Sequence, residues 1–188
     1  RIELKETEQE IVLYDSPVKR EVEITIMKYT EPEFAVCGIS YIQTDSGELL
    51  APPAPKKRRM QIIGDSITCG YGVEGDVERL EIKTSEENPA KAYSVIMAQE
   101  LDADFEIVAW NGKGIITSYV GEEEDAVPDK MWLVPMLYKY TDAGCSKNYF
   151  NEPQEKWELW EHSSFEPDII TINLGTNDAS YTRGIPER

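Results

Sequence analysis

Three short apolar runs, Met60–Ile63, Phe105–Trp110 and Ile169–Leu174, each give way at once to small polar residues: Gly64-Asp65-Ser66, Asn111-Gly112-Lys113-Gly114 and Gly175-Thr176-Asn177-Asp178. Apolar runs of this length bounded by turn residues read as strands buried on both faces, as in a parallel sheet. Between the first two, Asn88-Pro89 reads as a helix cap with proline in the first turn, where its missing N–H is no loss. Tyr93, Ile96, Met97 and Leu101 then recur at helical spacing and predict an apolar helix face. Strand alternating with helix predicts an open α/β sheet, in which ligands bind outside the carboxyl ends of the strands. All three polar segments fall there.

Their side chains suit acyl transfer to water. Ser66 offers a hydroxyl nucleophile, and a helix beginning beside it would point backbone N–H groups toward it. Glycine lets a backbone N–H approach a ligand closely, so Gly114 is a candidate oxyanion donor, with Gly112 as the alternative. The Asn177 side-chain amide is another, and losing one such donor typically costs about 2.7–4 kcal/mol of transition-state stabilisation.

The 188 residues suffice for one domain or one and a part. Nineteen Lys+Arg against 36 Asp+Glu leave a net charge of −17, which disfavours nucleic acid and anionic membrane as partners. Cys37, Cys69 and Cys145 form no CxxC pair, so neither a disulfide framework nor a zinc spacing is expected, and no apolar run approaches the ~20 residues needed to span a bilayer. Gly64…Gly70-Tyr71-Gly72 lacks dinucleotide-site spacing and a P-loop is absent, so no cofactor is expected. A thiol enzyme using Cys69 would need a histidine partner, and His162 is the one histidine.

Ahead of the α/β pattern, Val22, Ile24 and Ile26 alternate with charged or polar neighbours, and residues 34–42 form a second apolar run, so residues 1–50 are expected to be β-rich. Asp45-Ser46-Gly47 reads as a turn between strands. Leu50–Pro55 followed by Lys56–Arg59 reads as a proline-stiffened linker whose cations offset neighbouring carboxylates. Glu155–Glu161 is expected to be helical with Trp157 and Trp160 in the core; residues 115–151 show no clear periodicity and carry the acidic run 122–125.

The strings Ile62-Ile63-Gly64-Asp65-Ser66-Ile67-Thr68-Cys69-Gly70-Tyr71-Gly72, Val108–Ile115 and Ile172–Asp178 resemble the first three sequence blocks of the SGNH (GDSL-type) hydrolases, and within them carbohydrate esterase family two. The resemblance implies a flavodoxin-like, three-layer hydrolase domain over 57–188, with strand order 2-1-3-4-5. It also implies the C-terminal part of a jelly-roll-like β-sandwich over 1–56. The implied activity is removal of O-acetyl groups from plant polysaccharides such as xylan and mannan, outside the cell and without a metal or cofactor. By that resemblance Ser66 is the nucleophile, and its own N–H, the Gly114 N–H and the Asn177 side chain form the oxyanion hole. Asp65 and Asp178 brace the loops.

One part of the pattern is missing. The family's general base is a histidine in a later block, commonly Asp-x-x-His, whereas His162 precedes the strand leading to Asn177 and matches no catalytic block. The chain therefore reads as an internal fragment lacking both natural termini, with its third strand as an exposed apolar edge and little activity alone. Two other classes compete: a carbohydrate-binding module on a vestigial hydrolase scaffold, and an SGNH lipid or thioester hydrolase.

Overall fold

The central strand of the sheet is buried almost along its whole length, and the other elements are arranged around it. In the computed structural model, which describes residues 1–34, 36–44, 47–79, 81–123, 125–148 and 150–183, this strand is β1 (Arg58–Asp65). It is followed by α1 (Ser66–Cys69), α2 (Tyr93–Glu100), β2 (Ala103–Trp110), α3 (Val134–Leu137), α4 (Ala143–Asn148), β3 (Ile169–Asn173) and α5 (Thr176–Thr182). The strands pair in the order β2-β1-β3, both ladders parallel. Ile62 stands opposite Ile107 on one side and Thr171 on the other. The first three positions of the expected strand order are thus met, and the sheet is that of an α/β fold.

The two faces of β1 are covered differently. Met60 and Ile62, both fully buried, pack with Ala98 of α2 and Ala103, flanked by Met97, Phe105, Ile107 and Ile169. On the other face Gln61 is buried and paired: its amide donates to Glu106 Oε2 at 2.8 Å, and its carbonyl oxygen accepts from the Tyr138 hydroxyl at 2.8 Å. Beyond it lies a second cluster of Trp110, Leu137, Ala143 and Trp157, with Trp132, Met136 and Tyr140 against it. The segment with no readable periodicity therefore carries α3 and α4 and its own aromatic core.

Several expectations are corrected. The buried face of α2 is Ser94, Val95 and Ala98, while Ile96 and Leu101 are exposed. Small side chains let the helix lie close on the sheet, so the large apolar residues fall outside the contact. Asn88 does cap a turn, accepting from the Ala90 N–H, but the turn it caps is a short 3₁₀ segment ahead of α2. The stretch Glu155–Glu161 is not an α-helix: only Gln154–Lys156 form a 3₁₀ turn, Pro153 precedes it, and the Tyr140–Leu159 antiparallel bridge draws the following chain extended. Trp157 is nevertheless core, its Nε1–H donating to the Glu152 carbonyl at 2.9 Å.

The described residues of 1–57 form no helix or strand. Val22, Ile24 and Ile26 are exposed, because alternation supplies an apolar face but a strand also needs a ladder partner, and none among the described residues pairs with this stretch. The Asp45-Ser46 turn and Glu124 of the acidic run lie outside the described residues. Arg58 and Arg59 belong to β1, while Lys56 Nζ pairs with Asp102 at 3.1 Å.

At the far edge, β3 leaves Ile170 and Ile172 55% and 64% exposed. The contrast across the sheet sets a prediction. Ile62→Ala should destabilise by about 2–5 kcal/mol and Ile170→Ala by no more than about 0.5 kcal/mol in urea unfolding. Equal losses would contradict this burial pattern.

Candidate active site

Asp65 ends β1 and caps α1, its Oδ1 accepting from the Ile67 N–H at 3.1 Å. Ser66 is therefore the first residue of a single helical turn rather than of a long helix, and its orientation comes from the cap and from ties to α2. The Ser94 hydroxyl donates to the Thr68 carbonyl at 2.7 Å, and the Thr68 and Tyr93 hydroxyls bond at 2.8 Å. Gly64 is required by close approach, since a Cβ there would stand 1.9 Å from Thr68 Oγ1.

The third block reaches this corner through Asn177. Its amide nitrogen donates to the Lys113 carbonyl at 2.9 Å and to Asp65 Oδ2 at 3.3 Å. Residues 112 positions apart in sequence are thus joined, and Lys113 brings the Gly114 loop with it. Both amide hydrogens are committed, the longer bond being the one to Asp65. Burial pushes the Asp65 carboxyl above its ordinary range, against the N–H groups of Ile67 and Asp65 itself.

The Gly114 loop is fixed from the other side by Asp178. Its carboxylate accepts from the N–H groups of Ile115 at 3.0 Å, Ile116 at 2.6 Å and Thr117 at 3.1 Å. Burial opposes the charge, but these backbone donors together outweigh it and hold the carboxyl below its ordinary range. A Cβ on Gly114 would meet Thr117 O at 2.3 Å and Asp178 Oδ2 at 2.6 Å, so only glycine fits. The Gly114 carbonyl accepts from Val134 N–H at 3.0 Å, and among the described residues its own N–H has no acceptor. The Gly112 carbonyl takes the Tyr119 N–H at 2.7 Å. Ser180 completes the brace, donating to the Asn177 carbonyl at 2.6 Å and accepting from Val120 N–H at 2.8 Å.

Ser66, Asp65, Gly114, Asn177 and Asp178 are therefore gathered at the ends of β1, β2 and β3. His162 is not among them: it is exposed on a 3₁₀ turn and stacks on Tyr138 with ring centroids 4.7 Å apart.

Two features escaped the sequence reading. Trp132, with φ of 61°, adopts a left-handed conformation rare for a bulky residue. It lines a small hollow with Trp110, Lys113 and Lys147, on the same loop that Asn177 grips. Glu31, from the N-terminal stretch, accepts the Asn111 N–H at 2.5 Å. Neither carries a local pattern; the left-handed backbone and the 80-residue separation exist only once the chain is folded.

The family model of the GDSL-like lipase/acylhydrolases matches residues 61–188. The chain is 34% identical over 171 residues to an acetylxylan esterase / glucomannan deacetylase of Cellvibrio japonicus, covering 88% of this chain and 42% of that protein. It is 32% identical over 157 residues to the cellulase/esterase CelE of Acetivibrio thermocellus, covering 84% of this chain and 17% of that protein. Among solved structures, an acetyl xylan esterase from the rumen bacterium Butyrivibrio proteoclasticus superimposes with a TM-score of 0.59 at 29% identity, over 72% of this chain and 34% of that one. A family two carbohydrate esterase from Clostridium thermocellum, in complex with cellohexaose, gives 0.56 at 32% identity, over 76% and 42%. The chain spans less than half the length of these curated relatives. Its similarity is thus concentrated in carbohydrate esterases of family two, and by the match over 61–188 the chain belongs to the GDSL-like lipase/acylhydrolase family.

Proposed function

We propose that the protein is a serine esterase that removes O-acetyl groups from plant polysaccharides of the xylan and mannan type. The observation that carries this reading is the buried link Lys113 O–Asn177–Asp65, which ties the loop bearing Gly114 to the turn bearing Ser66. The relatives, which are acetylxylan esterases and glucomannan deacetylases, support the acyl group and the polymer. Ser66 Oγ attacks the acetyl carbonyl. The oxyanion is received by the N–H groups of Ser66 and Gly114 and by the Asn177 amide, which exchanges its longer bond to Asp65 for one to the substrate. The sugar leaves as an alcohol, and water then releases acetate from the serine.

The Trp132 hollow beside this loop favours a carbohydrate face. Lys147 Nζ lies 4.0 Å from the Trp132 ring centroid, so one side of the indole is covered and its orientation fixed. A polymer of this kind cannot enter a cell, so we place the enzyme outside it. No helix among the described residues is long and apolar enough to cross a membrane. We assign residues 1–56 to a β-sandwich unit, a reading supported by the period-two alternation of Val22, Ile24 and Ile26 in the sequence.

The base is the missing element. His162 is held on Tyr138, away from the assembled blocks, and general-base help is typically worth 10²–10⁴-fold. The 188 residues alone should therefore hydrolyse 4-nitrophenyl acetate only slightly faster than the Ser66→Ala variant. Added imidazole should widen that difference by at least about tenfold by acting as the base in solution. Fast Ser66-dependent turnover without imidazole would contradict the missing base. No Ser66-dependent rate under either condition would contradict the esterase reading.

Asn177→Ala should lower the imidazole-rescued rate constant by about 10²–10³-fold with a smaller change in KM. An unchanged rate constant in a folded variant would reduce Asn177 to a structural tie.

A further inference from the structure

Glu31, Cys69 and Glu87 meet inside the protein. One carboxylate oxygen from each glutamate and the Cys69 sulfur all lie within 4.8 Å of one another. The three residues are 3%, 7% and 0% exposed, and they come from three segments: the N-terminal stretch, the last position of α1, and the residue before the Asn88 cap. One oxygen of each glutamate is committed. Glu31 Oε2 accepts from Asn111 N–H at 2.5 Å, and Glu87 Oε2 accepts from Glu31 N–H at 3.3 Å. The other oxygen of each, Oε1, is buried with no hydrogen-bond partner among the described residues.

Two buried carboxylates cannot both stay charged without a compensating cation. The charged groups around them are Lys28, Arg1 and Glu33. Lys28 Nζ is committed to the Thr30 carbonyl, and Arg1 pairs with Glu74 at 2.7 Å. Neither cation forms an ion pair with Glu31 or Glu87 among the described residues.

We propose that Cys69 Sγ, Glu31 Oε1 and Glu87 Oε1 form a binding site for a divalent transition-metal ion of the zinc class. One thiolate with two carboxylates is a donor set that zinc accepts in tetrahedral geometry, here with the fourth position open to water. Ligand atoms around such an ion stand about 3.3–3.8 Å apart, so closing the group requires movements of only about an ångström.

Burial pushes the Cys69 thiol far above its ordinary range, and the charges of Glu31 and Glu87 add to this. Burial also raises each glutamate to about 7. A dication would take an electron pair from the sulfur and from each Oε1, and the thiol proton would leave to solvent as the thiolate binds. The bound ion would tie Glu31, and through it Asn111, to the turn that carries Ser66.

The test uses the whole 188-residue chain, chelator-treated, with Co²⁺ as the optical probe and Zn²⁺ as competitor, and it does not depend on esterase activity. One Co²⁺ per chain should give a sulfur-to-metal charge-transfer band that one equivalent of Zn²⁺ removes. Cys69→Ser should lose the band, Glu87→Gln should weaken Co²⁺ binding by at least about tenfold, and the Cys37→Ser/Cys145→Ser double variant should keep it. Zn²⁺ calorimetry on the unmodified chain, in buffers of different ionisation enthalpy, should report one ion bound per chain with release of the thiol proton; this readout stands even if Cys69→Ser fails to fold. No stoichiometric band, a band that follows Cys37 or Cys145, a Glu87→Gln variant of unaltered affinity, or binding without proton release would each overturn the proposal and leave a carboxyl pair held by a shared proton.

Discussion

Asp65 is 1% exposed, and of its two carboxylate oxygens one is taken locally by the Ile67 N–H and the other by Asn177 from the far end of the sequence. Oδ1 closes the turn that carries Ser66, and Oδ2 takes the amide of Asn177. The site depends on this residue because a backbone N–H and a side-chain amide can share one buried carboxylate only if β1 and β3 end side by side. The parallel register, with Gly64 opposite Asn173, provides that. Asp178 does the same for the second block: three successive backbone N–H groups converge on it, so Gly114 is aimed by a neighbouring segment rather than by its own loop. The acidic residues of these motifs therefore act mainly as braces, and the groups we propose to react are positioned by them.

Much of this was legible in the sequence because strands of a parallel sheet carry apolar residues on both faces and so read as unbroken apolar runs. Met60–Ile63, Phe105–Trp110 and Ile169–Leu174 could be found that way, and each structural strand agrees to within two residues at either end. The motif residues were legible because they follow those runs directly. The α2 face was misread because its contact surface is built from Ser94 and Ala98, whose small size hides them from an apolar period. Glu155–Glu161 looks helical with Trp157 and Trp160 three residues apart, yet a bridge between Tyr140 and Leu159 fixes the segment otherwise.

The N-terminal stretch shows the limit of local pattern more sharply. Alternation at Val22, Ile24 and Ile26 states which side chains share a face but not what covers them. What ties this stretch to the hydrolase half is instead a few specific contacts: Glu31 with Asn111 and Glu87, Phe34 stacked on Tyr71 at 6.1 Å, and Arg1 with Glu74. A glutamate between Thr30 and Pro32 gives no sequence signal of burial. Its position beside Cys69 and Glu87 emerges only when three segments are brought together.

The most direct measurement of the central claim is a crystal structure of the protein after reaction with a fluorophosphonate, whose tetrahedral phosphorus mimics the acyl-transfer intermediate. The account predicts an adduct on Ser66 Oγ with one phosphoryl oxygen about 2.7–3.1 Å from both the Gly114 nitrogen and the Asn177 amide nitrogen. A Ser66 adduct whose phosphoryl oxygens point away from both nitrogens, or modification of another residue in place of Ser66, would contradict it.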